Sequence, residues 1–179
     1  MLTNILLVLM LAIIVVLVLA AMKPATFRLE RSTTINAPPD RVFALINDFH
    51  NWESWSPWEK IDPGMKRTYS GPSSGVGAAY AWDGNNKAGS GSMKIANSVA
   101  PSAIDINLDF VRPFKANNMT EFRTTPGANG ATNITWAMHG PNQFMGKLVK
   151  VFFNMENLVG RDFERGLANM KAVAEKPVA

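Results

Sequence analysis

The chain contains no cysteine. A disulfide framework, a thiolate nucleophile and a Cys-ligated metal site are therefore excluded, and the redox state of its compartment leaves no trace in the sequence. Histidine is nearly absent. His50 and His139 are the only two, they sit in separate segments, and neither belongs to an H-E-x-x-H or comparable spacing. They read as a polar loop residue and a strand-end residue, with no metal expected. Basic residues are scattered, and the net charge of +4 is too small to argue for nucleic acid. A cationic face toward anionic lipid head groups stays open. No phosphate loop of the form Gly-x-x-x-x-Gly-Lys-Ser/Thr occurs, and no G-x-S-x-G elbow. The glycine groups Gly71, Gly75, Gly77 and Gly84, Gly89, Gly91 read as turns or bulges that bend a sheet. No cofactor and no catalytic residue is expected.

Charge is also missing from the first 22 residues. From Ile5 to Met22 there is no charged and no strongly polar side chain, and neither Pro nor Gly interrupts the run. About 20 apolar residues suffice to cross a hydrocarbon core of about 30 Å. Backbone groups in lipid must bond internally, so the segment is expected to be a helix. A cleaved signal peptide is the rival reading, with Val18-Leu19-Ala20 as a tolerable cleavage site. Against it, Met1 to Asn4 carries no side-chain cation, and the apolar run is longer than a usual signal core. Lys23, Arg28 and Arg31 follow the span and no cation precedes it. The positive-inside rule then places the rest of the chain on the cytoplasmic face of the cell membrane, held by a single pass. The expected organisation is a transmembrane anchor over residues 1–23, a short linker over 24–26, one domain over 27–175 and a tail over 176–179.

Phe27 to Ile35 alternates in polarity like a strand. Ala37-Pro38-Pro39-Asp40 then opens a helix, because proline suits the first turn and Asp40 suits its positive end. Val42, Phe43, Leu45, Ile46 and Phe49 give it one apolar stripe, and Asn47-Asp48 closes it. Pro57 limits the Trp52–Trp58 segment to a short helix or turn. Six strands follow at hairpin spacing: Lys66–Ser70, Ala78–Asp83, Ser90–Ser98, Ser102–Phe110, Asn117–Thr125 and Ala131–His139. They imply an antiparallel meander. From Asn142 to Ala174 apolar residues recur every three or four positions, which predicts one long helix with Gly160 and Gly166 as mild weak points. The fold class is α+β: a curved antiparallel sheet wrapped around a long C-terminal helix, a helix-grip arrangement, plus one N-terminal transmembrane helix.

Four segments carry a family resemblance: Arg31 to Phe43 at the first strand and helix entry, Asn51 to Trp58, Gly75 to Trp82, and Gly160 to Lys171 in the last helix. Together they resemble the START-like, or SRPBCC, superfamily, often labelled polyketide cyclase/dehydrase-like. The match covers about Phe27 to Glu175. The superfamily includes lipid carriers, cyclases, co-chaperones and hormone receptors, so the resemblance specifies fold more closely than function. It implies a deep cavity between sheet and last helix, in which most members bind an apolar ligand. Trp58, Tyr80, Trp82, Met93, Phe110, Phe122, Trp136, Met138, Phe152 and Met155 are the candidates to line it. No branch-specific catalytic motif is present to carry over.

Each candidate has a plainer alternative. Trp52 and Trp55 read as core packing and a plug at one end of the barrel, whereas Trp82 and Trp136 divide evenly between pocket and core. Methionines fill ordinary cores as well as irregular pockets. Asp83, Asp105, Asp109 and Glu121 lie on predicted strands; one facing inward would be a candidate acid or base, but outward placement is expected. Asn118-Met119-Thr120 and Asn133-Ile134-Thr135 match the glycosylation sequon but fall within strands. Phe144 to Met155 is more apolar than packing on one sheet face requires. It suggests contact with bilayer or partner, with Val149 and Phe153 at that contact, or a helix buried on two sides. Three functions are expected in order: a membrane-anchored binding module for a hydrophobic small molecule or lipid, with residues 2–22 in the membrane; a cyclase or hydratase acting on an aromatic substrate; and a co-chaperone-like interaction module.

Overall fold

The structure is a computed structural model and describes residues 1–142, 144–152 and 155–177; the side chains of residues 145, 149, 150, 152, 155, 156 and 158 lie outside the description. The uninterrupted apolar run forms helix α1 (Leu2–Ala21), which is long and apolar enough to cross a membrane. It leads through a short connection into β1 (Thr26–Ile35) and α2 (Pro39–Asn47), the latter with Pro39 in its first turn and Asp40 at its positive end. Two single-turn 3-10 helices, Phe49–Ser54 and Pro57–Lys60, hold the Trp-rich segment.

The six expected strands then appear with boundaries shifted by a residue or two: β2 (Lys66–Ser70), β3 (Ala79–Asp83), β4 (Ser90–Val99), β5 (Ala103–Arg112), β6 (Ala116–Pro126) and β7 (Thr132–Pro141). Every pairing is antiparallel, in the order β1-β7-β6-β5-β4-β3-β2, so β1 closes back onto the last strand. Register shifts between Ser90 and Gly91 and between Ile95 and Asn97 bend β4 and help curve the sheet.

The expected single helix from Asn142 to Ala174 is recorded as α3 (Phe144–Phe152) and α4 (Met155–Ala174). Asn142 is not helical. Its amide donates to Ala25 O at 2.7 Å and its Nδ2 to Pro24 O at 3.1 Å, so it clasps the entry to β1 instead of starting a helix. α4 lies in the concave face, with Phe163, Leu167 and Met170 buried against the sheet. Polar ties fix its slide and rotation: Arg31 Nε to Glu164 Oε1 at 2.8 Å, Asn169 Nδ2 to Trp55 O at 3.0 Å, and Lys171 Nζ to Thr34 O at 2.6 Å. The two helix glycines are contact points. A Cβ on Gly166 would sit 2.7 Å from the Trp136 ring, and one on Gly160 would meet the Arg31 guanidinium.

Strictly alternating hairpins sort the connections into two groups. The start of β1, the end of β7, the β3–β4 hairpin and the β5–β6 hairpin share one end of the sheet, which α1 leads into. We call this end proximal. The connections over 71–78, 100–102 and 127–131 share the distal end. α3 follows directly from the proximal end of β7 and packs against α1, whose buried Ala20 and half-buried Val16 lie one turn apart near its end.

Candidate ligand-binding site

Side chains on the concave face alternate along each strand, and their burial changes from one end to the other. On β5, Ile104 and Ile106 are fully buried whereas Leu108 and Phe110 are half-buried. On β7, Ile134 and Trp136 are buried and Met138 is half-buried. On β3, Tyr80 is buried and Trp82 half-buried. The distal and middle part of the concavity is thus closed, and the proximal part is incompletely covered.

The closed part is filled with aromatic rings. Trp136 stacks on Phe163 at 4.1 Å between centroids and on Phe122 at 5.0 Å, and meets the rings of Trp55 and Trp58 edge-on at 5.5 and 5.4 Å. Trp52 and Trp55 form the expected plug, their indole N–H groups donating to Ile46 O at 3.0 Å and Leu45 O at 2.9 Å. Of the candidates, Phe122 and Trp136 are buried within this aromatic stack; for Trp136 the sequence had left pocket and core equally open. A face this broad and apolar gains more by contact between its own rings than by staying empty.

Along the proximal part Trp58, Trp82, Leu108, Phe110, Met138 and Val159 are all half-buried. Trp58 borders the closed stack through Trp136 and Phe163, and Met138 on β7 lies across the sheet from Trp82 on β3. Trp82 meets Phe110 edge-on at 5.7 Å. It lies flat on β4 because Gly91 has no side chain there; a Cβ would sit 2.5 Å from the Trp82 ring. Met93 is buried beneath this group. The side chains of Phe152 and Met155 lie outside the described residues. Among the described residues, Asn118 Oδ1 and Trp136 Nε1 on the concave face are buried without a hydrogen-bond partner. Each costs about 1–3 kcal/mol unless a ligand or water satisfies it. Asn118 lies on the concave face of the proximal part, opposite Gly140. The sequence reading met it only as part of a glycosylation sequon.

A second feature escaped the sequence reading. Glu59 is buried in the Pro57–Lys60 turn, where Tyr80 donates to its Oε1 at 2.7 Å and Arg67 Nε to its Oε2 at 2.7 Å. Burial first, then the hydrogen bond to Glu59, pushes the Tyr80 hydroxyl well above its ordinary value, while the same carboxylate raises Arg67. Both carboxylate oxygens are engaged, which marks a structural tie between the turn and the β2–β3 edge. A Glu flanked by Trp58 and Lys60 resembles any solvated turn, so no local signal marks it.

The remaining titratable candidates face outward, as expected. Asp83 pairs with Arg112 and Asp105 with Arg123; Asp109 accepts from Asn117 at 2.6 Å. Glu121 lies between Arg28 and His139 on the convex face, at 3.1 and 3.0 Å. Burial pushes its carboxyl up, but hydrogen bonds from Arg28 and His139 outweigh this and hold it below the usual carboxylate range. His50 sits 2.7 Å from Asp48 and stacks on Tyr69. Among the described residues no group of three His, Cys, Asp or Glu could hold a metal ion. A cavity of about 240 Å³ lies at the distal end, lined by Phe49, His50, Tyr69, Ala78, Ala79 and the Ser70–Ser73 loop. It contains none of the ten candidates and is a cleft beside the β2–β3 connection, so it is not the site the concave face forms.

Residues 26–175 match the family described as polyketide cyclase / dehydrase and lipid transport. The chain belongs to that family, and with it to the SRPBCC superfamily. Solved structures agree on the fold. A protein of Chromobacterium violaceum is 17% identical, with a TM-score of 0.59 over 87% of this chain and 100% of its own. A Staphylococcus aureus protein of unknown function is 12% identical, with a TM-score of 0.62 over 84% and 94%. The Aha1 dimer of Colwellia psychrerythraea is 11% identical, with a TM-score of 0.58 over 83% and 96%. No curated protein matches the sequence. The family match begins where β1 begins, so α1 is an addition to the shared domain.

Proposed function

We propose that this chain is a binding module for a hydrophobic small molecule or lipid, held at a membrane by α1 with the domain on the cytoplasmic side. Residues 1–23 form the anchor, 24–26 the link and 27–175 the binding domain. The observation that carries the reading is the run of half-covered apolar side chains along the proximal part of the concave face, Trp58, Trp82, Phe110 and Met138, with Asn118 on the same face. An apolar body would complete the coverage of these rings, at about 25 cal/mol for each Å² removed from water. A donor on the ligand would satisfy the asparagine oxygen. A cyclase would need a proton-transferring group at this position. Asn118 is an amide, which orients a ligand and does not titrate.

The test is native mass spectrometry of the full chain released from nanodiscs. An apolar molecule retained by the wild type and lost on Trp82→Asp with Phe110→Asp supports the reading. Wild-type chain that is repeatedly empty, and that takes up no fatty acid or phospholipid on addition, rejects it.

A further inference from the structure

Both ends expose valines, Val111 at 55% on the proximal side and Val76 and Val99 at 59% and 50% on the distal side. Among the described residues, however, only the proximal end exposes phenylalanines: Phe114 at the tip of the β5–β6 hairpin is 57% exposed and Phe144 at the start of α3 is 52% exposed. Large exposed aromatics are costly in water and belong against apolar material. The segments at this end are residues 22–25, 61–65, 84–89, 111–115 and 141–147. They carry Lys23, Lys87, Arg112, Lys115 and Lys147 against one acid, Asp62, whose two carboxylate oxygens accept from the Gly64 and Asn85 amides. Arg112 is held by Asp83 at the root of its hairpin. The distal connections, 36–40, 71–78, 100–102 and 127–131, contain no cation and one acid, Asp40.

This end also has a fixed relation to α1. Asn142 bonds both carbonyls of the link, at Pro24 and Ala25, and α3 packs on α1. The domain is therefore clamped at the end of the apolar helix, not swung on a free tether. If α1 crosses a bilayer, the hairpin tip, the β3–β4 hairpin and Phe144 all lie at the level of the head groups on the side where α1 ends.

We propose that the proximal end is a lipid-docking surface: Phe114 and Val111 insert at the interface of an anionic bilayer while Lys87, Lys115 and Lys147 meet its phosphates. The proposal rests on the membrane-anchor reading of α1. It deepens the binding reading as well, because Phe110 and Trp82 lie just inside the same hairpins. The half-covered concavity would open toward the leaflet, so its ligand would be drawn from the bilayer and not from water. Each lysine near an anionic surface adds electrostatic attraction, and an interfacial aromatic adds the burial of its ring.

The absence of cysteine makes the test direct, since one introduced thiol is a unique label site. Full chain carrying Phe114→Cys, Val99→Cys or Leu9→Cys is labelled with a polarity-sensitive fluorophore. It is reconstituted in nanodiscs of phosphatidylcholine with or without phosphatidylglycerol, and quenched with nitroxide lipids. Val99 is the distal control, at 50% exposure, and far-UV circular dichroism checks each variant's fold. The expected result is strong quenching at Leu9 by a deep nitroxide and at Phe114 by a shallow one, with Val99 unquenched. Adding Lys87→Glu and Lys115→Glu should cut the Phe114 quenching by about half in the anionic discs. Phe114 quenched no more than Val99, with Leu9 still quenched by the deep nitroxide, overturns the docking surface and leaves the anchor standing. Leu9 without quenching overturns both. Phe114 quenching that ignores phosphatidylglycerol and the two glutamates overturns the anionic component of the proposal.

Discussion

The distal and proximal ends of the sheet are made from the same kinds of strand, yet they finish in opposite states. At the distal end β1, β5 and β7 contribute Ile35, Ile104 and Ile134, each fully buried, and the Trp52–Trp55 segment and the last turns of α4 cover them. At the proximal end β5 and β7 continue into Leu108, Phe110 and Met138, whose cover is only partial, although Leu29 on β1 stays buried. Cover follows the helices. α4 is pinned near the distal end by Lys171 and Glu175, which bond the backbone of Thr34 and Asn36. A sheet that curves around a helix fixed at one end closes first at that end. Packing is in this way concentrated in the distal part of one continuous face, and the proposed binding falls on the proximal part.

The sharpest way to break the contrast is to truncate one ring on each side. Trp136→Ala removes the ring at the centre of the stack and should cost about 3–5 kcal/mol in urea denaturation. Phe110→Ala, half-covered at the proximal end, should cost less than half as much and lower ligand retention instead. Equal stability losses would show that the proximal part is as well packed as the distal. Glu59→Gln tests the edge that frames the proximal part. It leaves the buried end of Arg67 without its charge partner and should cost about 3 kcal/mol, read in the same titration.

Smaller effects sharpen the picture along α4. Gly166→Ala should destabilise by about 1–3 kcal/mol, because the methyl would press on the fixed Trp136 ring. Gly160→Ala meets only the end of the Arg31 side chain, which can move. The helix gains about 1 kcal/mol from alanine, so the net change in melting should be close to zero. Alkaline pH should produce the mildest effect. The Tyr80 hydroxyl is raised above its ordinary 10.0 by burial and by Glu59. Its contribution to stability is therefore complete below pH 10 and lost as pH rises beyond it. Stability measured from pH 8 to pH 11 should fall more steeply in the wild type than in Tyr80→Phe. At acid pH the sign reverses for Glu121, held below its usual 4.5. Its contribution is present above that value and lost as pH falls beneath it, and Glu121→Gln should flatten that loss.

Much of the fold was legible because it rests on local pattern. Strand alternation, the turn residues and the Pro-Pro-Asp helix start each depend on a few neighbouring residues, and all seven strands and α2 appear where the pattern places them. The α4 stripe works the same way: Phe163, Leu167 and Met170 are spaced to face the sheet, and they do. The helix start at Asn142 failed because a contact distant in sequence, to Pro24 and Ala25, outcompeted the local preference. The site was less legible for the same reason. All the concave candidates have the same period and similar chemistry, so periodicity places Trp136 and Phe110 on one face without telling which is covered. Asn118 and Glu59 look ordinary in sequence. They stand out only because the fold buries them.

What the sequence determined by itself is the apolar helix at the start, the antiparallel meander, the closing helix and the family they belong to. Each follows from spacing between residues near one another in the chain. Which half of the concave face is solid and which is left half-covered, and that the half-covered end lies beside α1, came only from the tertiary structure. Those properties depend on where α4 is anchored, a relation between residues more than a hundred positions apart, and on which hairpins share an end of the sheet, which the pairing of all seven strands decides.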